Sequence, residues 1–191
     1  MATKKYNDSI NFLKFTSLFM DKNNPKRELD WLFFDRKNGK FVATDTRMIV
    51  IITPQNTSAS EFYDYAFPHL KSADGLEYIN NKGIAFKSEG KYPDYERIIP
   101  KGDHTNRVYS LSMWRTTMQQ NIILDVFRFP NMVKALKIID ILGEGTVIYN
   151  NTENGNNMPV MFEIDKEIRY GTDHGDYFSA LIQVIVMPVV V

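Results

Sequence analysis

The sequence predicts an α+β fold in which helices alternate with antiparallel hairpins. Apolar residues recur at helical spacing in several segments, and short polar gaps containing Asn-Gly or Asn-Asn separate pairs of apolar runs. The strict strand–helix–strand alternation of a parallel sheet is not found. A helix followed by paired hairpins recurs about three times, which indicates repeated units of a helix and an antiparallel sheet.

Length and composition bound the class of protein. The 191 residues suit one large domain or two of about 100 residues each. Hydrophobic residues make up 43% and charged residues 24%, as in an ordinary globular protein. The formal net charge is zero, so a nucleic-acid or membrane site would have to be a local patch. The absence of cysteine excludes disulfides, thiolate zinc sites and cysteine nucleophiles.

No segment predicts contact with a membrane. No apolar run reaches the roughly 18 residues that span a bilayer, and the polar start MATKKYNDS lacks the features of a signal peptide. We therefore expect a cytoplasmic protein without a membrane partner. An origin in a phage or mobile element stays open.

The first half of the chain predicts two helices and two hairpins. The first helix covers roughly 9–20, with its N-cap in the run 7–9. A capping box at Ser58 and Glu61 opens the second helix, which Pro68 interrupts. Asn-Gly and Asn-Asn turns join the strands of the hairpins, which are predicted over 29–35 with 41–52 and over 76–79 with 83–87.

The second half begins after a polar linker, 101–106, which predicts a boundary between domains 1–101 and 102–191. The clearest helix lies between Pro130 and Gly143, where apolar residues recur at helical spacing. The run 114–121 is open between helix and loop. Strands are predicted over 108–113, 122–129, 146–150, 160–164, 167–170 and 180–191.

The most informative segment is the run Gly90–Pro100, GKYPDYERIIP. Pro93 and Pro100 each fix φ and withhold an N–H, so the run is neither an ordinary central strand nor a helix. Two tyrosines, a carboxylate, an arginine and an apolar pair follow one another within it. This pattern predicts a linker held against a surface, with side chains on which another molecule can dock.

The same run resembles the Gly-[Arg/Lys]-Phe-Pro-Asp-Tyr-x-Arg-[Val/Ile]-[Leu/Ile]-Pro segment of the bacterial DNA polymerase III β subunit, the sliding clamp family. The run 41–48, FVATDTRM, resembles the family's Leu-Val-Ala-Thr-Asp-Gly-His-Arg-Leu and is one residue shorter. The run 184–188, VIVMP, resembles its C-terminal Val-Val-Met-Pro. The run 127–142 is similar to a helix of the last clamp domain. The resemblance extends from about residue 8 to 191 and concerns the second and third clamp domains, the third shortened.

This resemblance implies a DNA-clamp-like fold of two domains and a non-enzymatic processivity factor that tethers replication or repair proteins to duplex DNA. Its partners would be duplex DNA of any sequence and the clamp-binding peptides of polymerase, loader or repair proteins. The family's ring has six domains, so a two-domain chain would need a homotrimer. The alternative is an adaptor or decoy of phage or mobile-element origin that keeps the fold and the peptide site without encircling DNA.

In the family, the three motifs converge on a groove that holds short peptides. Methionine adapts to several partners, and proline with aliphatic side chains forms an apolar slot. The alternative interpretation makes Met48, Ile98 and 184–191 ordinary core, and Val190 stands where the family often has an arginine. Carried over by position, the predicted groove comprises Thr44, Arg47, Met48, Pro93, Arg97, Ile98, Ile185, Met187, Pro188 and Val189.

DNA contacts in such a ring would come from basic side chains on its helices. Lys134 and Lys137 lie three residues apart and off the apolar stripe of their helix, so both suit contacts with phosphates. A solvated face is the alternative, and Asp140 dilutes the positive field. The predicted DNA contacts are Lys14, Lys22, Lys26, Arg27, Lys71, Lys134 and Lys137.

Catalysis has little support in the sequence. His69, His104 and His174 lack the spacing of metal ligands, and no Walker, Gly-x-Ser-x-Gly or Gly-x-Gly-x-x-Gly motif is present. The cluster 172–176 around His174 leaves open a turn, a metal site or a small hydrolase. We predict no catalytic residue, no metal site and no cofactor.

Overall fold

The computed structural model describes residues 10–58, 60–62, 77–99, 108–110, 134, 146–149, 159–169 and 177–187. Within these ranges, ten strands form one sheet, antiparallel except where β1 runs parallel to β9. The predicted α+β class with antiparallel strands is therefore confirmed, and the strands form a single sheet. The strands are β1 Ile10–Asn11, β2 Leu32–Asp35, β3 Lys40–Thr44, β4 Met48–Pro54, β5 Tyr78–Ile79, β6 Ala85–Phe86, β7 Val108–Ser110, β8 Thr146–Tyr149, β9 Val160–Arg169 and β10 Tyr177–Val186. The helices with described bounds are α1 Phe12–Thr16 and three 3₁₀ turns, Ser17–Phe19, Arg27–Asp30 and Tyr95–Ile98.

The strand order joins the two halves of the chain in one sheet. It runs β6-β5-β2-β3-β4-β10-β9-β8-β7. At its centre β4 pairs with β10, from Met48 opposite Val186 to Pro54 opposite Ala180. Strands from both sides of the predicted domain boundary thus share hydrogen bonds, while the boundary itself lies outside the described residues.

Both faces of the central strands are buried, so β4 is apolar at every position from Met48 to Ile52. Successive side chains point to opposite faces. Met48, Val50 and Ile52 join the core that contains α1, and we call this side the helix face. Ile49 and Ile51 join the core beneath the run 90–99, and we call this side the motif face.

The first helix is shorter than the sequence predicts. Its N-cap is Asn11, whose Oδ1 accepts the Lys14 N–H at 2.9 Å, and the chain tightens into a 3₁₀ turn from Ser17. The predicted start at residue 9 is wrong because Ile10 and Asn11 pair with β9. The predicted capping run 7–9 lies outside the described residues.

The single strand predicted over 41–52 is also wrong, because it is two antiparallel strands. β3 ends at Thr44 and β4 begins at Met48. Between them, the Oδ1 atom of Asp45 accepts the N–H groups of Arg47, at 3.0 Å, and Met48, at 2.8 Å. An aspartate that bonds the backbone ahead of it favours a turn, and this signal stands inside the apolar run.

Other local predictions are confirmed. Both turns of the predicted hairpins exist, with φ 63° at Gly39 and 77° at Gly83. The capping box is reciprocal: the Glu61 N–H donates to Ser58 Oγ at 3.1 Å, and the Ser58 N–H donates to Glu61 Oε2 at 2.9 Å.

The remaining predicted strands have mixed outcomes. Segments predicted separately over 160–164 and 167–170 form the single strand β9, and β10 begins three residues before the predicted 180. Strands β7 and β8 lie where 108–113 and 146–150 predict them. The predictions for 114–121, 122–129 and the helix of 130–142, apart from residue 134, lie outside the described residues, as does Pro68.

Candidate functional site

The structure brings together the three segments that define the predicted groove. The Met187 N–H donates to the carbonyl oxygen of Arg47 at 2.8 Å, directly after β4 and β10 pair. Ile98, Ile185 and Met187 belong to one hydrophobic cluster on the motif face. Residues 44–48, 90–98 and 185–187 therefore meet at one end of the central strand pair.

The run 90–99 packs on the motif face through its tyrosines, so the prediction that it is held against a surface is confirmed. Tyr92 and Tyr95 are only 6% and 4% exposed. The Tyr92 hydroxyl donates to the Val42 carbonyl at 3.3 Å, and the Tyr92 ring stacks on Phe33 with centroids 4.6 Å apart. These rings are core, so docking side chains must come from the rest of the run.

Polar contacts fix the same run to the hairpin β2–β3. The Tyr95 hydroxyl donates to Asp35 Oδ2 at 2.5 Å. The Asn38 side-chain amide donates to Asp35 Oδ2 at 2.8 Å and to Glu96 Oε1 at 3.0 Å. We call these four residues, Asp35, Asn38, Tyr95 and Glu96, the hairpin latch.

The pKa values of Tyr95 and Asp35 in the hairpin latch are shifted in opposite directions. Burial raises the pKa of the Tyr95 phenol well above its usual range, and the hydrogen bond to the Asp35 carboxylate adds to this. Burial by itself would raise the pKa of Asp35. Hydrogen bonds from Tyr95 and Asn38 outweigh it and hold that pKa below its usual value. The pair is therefore a neutral phenol that donates to a carboxylate.

Three residues of the predicted groove are buried. Thr44 is 2% exposed, and its hydroxyl donates to the Met48 carbonyl at 2.9 Å. Met48 and Ile185 are fully buried, but Met48 faces the helix core whereas Ile185 faces the motif core. All three are buried and present no surface to a partner.

The other predicted groove residues form its accessible part. Pro93, Arg47 and Arg97 are exposed, while Ile98 and Met187 are half-buried. Arg97 pairs with Asp94 at 2.8 Å through exposed side chains. Pro188 and Val189 lie outside the described residues.

The predicted DNA contacts divide into two groups. Lys14, Lys22, Lys26 and Arg27 are all exposed, on α1 and on the loop and 3₁₀ turn that follow it. Lys134 is instead engaged, because its Nζ lies 3.0 Å from Asp45 Oδ2. Lys71 and Lys137 lie outside the described residues.

A cleft of about 470 Å³ lies beside the β3–β4 turn, and the sequence does not predict it as a site of its own. It shares Arg47 with the predicted groove and Lys134 with the predicted DNA contacts. Asp21 accepts the Asn23 N–H at 3.2 Å and the Asn24 amide at 3.1 Å, so its carboxylate caps the loop. The run Asp-Lys-Asn-Asn is the local signal for that loop. The cleft is lined by Met20, Asp21, Asn24, Asp45, Thr46, Arg47 and Lys134.

Two further features bear on chemistry. In the part of the chain that the structure describes, no group of three or more histidine, aspartate or glutamate side chains is placed to hold a metal ion. His69, His104 and His174 lie outside that part. None of the helices within the described ranges is long and apolar enough to cross a membrane.

A scan against protein-family models gives no match, and a search of curated proteins gives none either. The resemblance to sliding clamps therefore rests on the quoted motifs alone.

Proposed function

We propose that this protein is a sliding-clamp-like processivity factor that captures short peptides of replication or repair proteins at the predicted groove. The observation that carries the proposal is the meeting of three motifs separated in sequence. The Met187 N–H bonds the Arg47 carbonyl at 2.8 Å, and Ile98 packs in the same cluster as Met187. Three segments that are far apart in the chain thus lie at one place in the fold.

The exposed part of the predicted groove suits an extended peptide. Half-buried Ile98 and Met187 offer apolar surface, and exposed Pro93 adds a rigid edge. Arg47 flanks this surface with positive charge, and Arg97 would exchange its exposed ion pair with Asp94 for a group of the peptide. An apolar side chain of the peptide would contact the centre, and its acidic or amide groups would contact the arginines.

The finer architecture belongs to the same proposal: two clamp-like domains, 1–101 and 102–191, built from repeated helix-and-sheet units, in a cytoplasmic homotrimer around duplex DNA. Exposed Lys14, Lys22, Lys26 and Arg27 would contact phosphates, and no catalytic group or cofactor takes part. Such contacts are independent of sequence and weaken as salt rises.

A second candidate is an adaptor or decoy that binds the same peptides without encircling DNA. The engagement of Lys134 by Asp45 at 3.0 Å favours it, because that ammonium is partly neutralised. The formal net charge of zero favours it too.

Peptide binding tests the groove. The double variant Met187→Ala with Pro93→Ala should weaken binding of a fluorescent clamp-binding peptide at least roughly tenfold, because truncating a buried apolar contact costs more than about 1.4 kcal/mol. Ile84→Ala is the matched control, since Ile84 is 51% exposed on the loop before β6. Unchanged affinity in the double variant, with an unchanged urea midpoint, would refute the groove.

Oligomeric state separates the two candidates. A ring predicts a trimer in light scattering and retention on circular duplex DNA that is lost as salt rises. A monomer without such retention would refute the ring and leave the adaptor.

A further inference from the structure

The tip of the β2–β3 hairpin carries an Asn-Gly pair in an exposed position. Asn38 is exposed, and Gly39 follows it with a positive φ of 63°. Glycine has no side chain to shield its own backbone nitrogen, so that nitrogen can approach the preceding asparagine side chain more closely than in any other pair. The pair thus joins an electrophilic amide carbon to a backbone nitrogen whose own residue carries no side chain.

The Asn38 amide also holds a structural contact. Its Nδ2 donates to two carboxylates from different segments, Asp35 at 2.8 Å on β2 and Glu96 at 3.0 Å on the run 90–99. Asn38 is the uncharged donor between them. We propose that Asn38 is a site of spontaneous deamidation, and that its conversion to an acid breaks the Asn38 contacts of the hairpin latch and loosens the run 90–99 around Glu96.

The reaction needs only the chain and water. The deprotonated Gly39 nitrogen attacks Asn38 Cγ and forms a C–N bond. The Cγ–Nδ2 bond breaks, and ammonia leaves after taking up a proton, which gives a cyclic imide. Water then opens either carbonyl of the imide, so the product is aspartate or isoaspartate at position 38. No oxidant, metal or enzyme takes part.

The product reverses the electrostatics of the latch. A donor that served Asp35 and Glu96 becomes a third carboxylate beside them, and both hydrogen bonds from Nδ2 are lost. Like charges at such distances repel, and salt screens the repulsion because the site is exposed. Arg97, the cation nearest in sequence to Glu96, pairs with Asp94 instead. The loosening therefore follows from charge as well as from a missing donor.

Conversion is measured on the full-length folded protein at mildly alkaline pH. Mass spectrometry measures the mass change when a side-chain amide becomes an acid. Peptide mapping then locates the change, with a protease other than trypsin because Lys37 and Lys40 flank the pair. We expect Asn38 to convert in the folded protein, more slowly than in urea. Glu96→Ala should accelerate it roughly two- to tenfold, since one hydrogen bond to the amide is lost.

Asn38→Gln is the matched control for the site, because it keeps an amide but disfavours the imide ring. Asn154-Gly155, the other Asn-Gly pair of the chain, reports on the reaction conditions. The absence of conversion at Asn38 in the folded protein, while the unfolded chain converts, would overturn the proposal.

The effect on the run 90–99 is measured by amide hydrogen exchange in Asn38→Asp and Asn38→Ala. Both lose the donor, and only the first adds a charge. Exchange in residues 92–98 should be faster in Asn38→Asp, and the difference should shrink at high salt. Equal exchange in the two variants, or exchange unchanged from the wild type, would overturn the latch mechanism. This test does not depend on peptide or DNA binding.

Discussion

Removing a single hydroxyl from the hairpin latch measures how strongly the run 90–99 is held. In Tyr95→Phe, the ring stays in the motif core and the bond of 2.5 Å to Asp35 is lost. A hydrogen bond to a charged partner contributes about 1.5–3 kcal/mol. Asp35 is half-buried and keeps the Asn38 amide as a donor, so water and Asn38 replace part of the loss. We expect the free energy of unfolding at neutral pH to fall by about 1–2 kcal/mol.

The pH dependence of stability separates the hydroxyl from simple packing. The raised pKa of Tyr95 means that the unfolded chain loses its phenolic proton first, so this stabilisation is present below about pH 10 and is lost as pH rises further. The lowered pKa of Asp35 acts at the other end: its contribution is present above the ordinary aspartate pKa and is lost as pH falls through the lower folded value.

Urea unfolding across the pH range, followed by tryptophan fluorescence, is the assay. Tyr95→Phe should flatten the alkaline decline that Tyr95 causes, and the cycle with Asp35→Asn should show a coupling of about 1–2 kcal/mol. At neutral pH, Tyr92→Phe is the matched control for the size of the loss, because its 3.3 Å bond to a neutral carbonyl should contribute less than about 1 kcal/mol. It is not a control for the alkaline decline, since burial raises the pKa of Tyr92 as well. A coupling near zero, or equal losses in the two variants, would refute the reasoning.

Further substitutions test three other contacts. Thr46→Gly should raise the urea midpoint by the equivalent of about 0.5–1 kcal/mol, because a β-branched residue at φ 73° is strained; a lower midpoint would contradict this. Gly90→Ala should lower the urea midpoint only slightly, because its Cβ would overlap the Glu28 carboxylate, the far end of a flexible side chain that can move aside; Glu28→Ala should remove that small loss, and a large loss would contradict this. Lys134→Ala should cost less than about 1 kcal/mol, and a loss that persists at high salt would argue against the ion pair with Asp45.

Local chemistry decides the features that the sequence predicts correctly. The turn at Gly39 needs a residue that tolerates positive φ, and the Ser58–Glu61 capping box needs only side chains three positions apart. Residues close in the chain meet both requirements, so the turn and the cap form whatever the rest of the fold is. The turn after Thr44 is just as local, yet apolar residues on both sides obscure it. Asp45, which bonds the backbone ahead of it, is the signal that could have revealed it.

Burial is where sequence reasoning is weakest. The run Gly90–Pro100 predicts docking side chains, but Tyr92 and Tyr95 are buried in the core. The Tyr95 hydroxyl donates to Asp35, which lies sixty positions away in the chain. The Lys134 contact with Asp45 spans 89 positions and is equally invisible in the chain. Pairings of this kind depend on which strands the sheet brings side by side, and no short window of sequence contains both partners.

The sequence by itself determined the α+β class, two hairpin turns and a helix cap, because each depends on backbone preferences within a few residues. The tertiary structure alone decided that β4 pairs with β10, and with it that Arg47 meets Met187. It also decided which residues of the predicted groove are accessible, since burial is set by the elements that cover a face. The strand pairing and the burial have the same physical reason. Contacts between distant residues form only when the whole sheet assembles, because only then do its combined contacts offset the entropy lost on bringing the strands together.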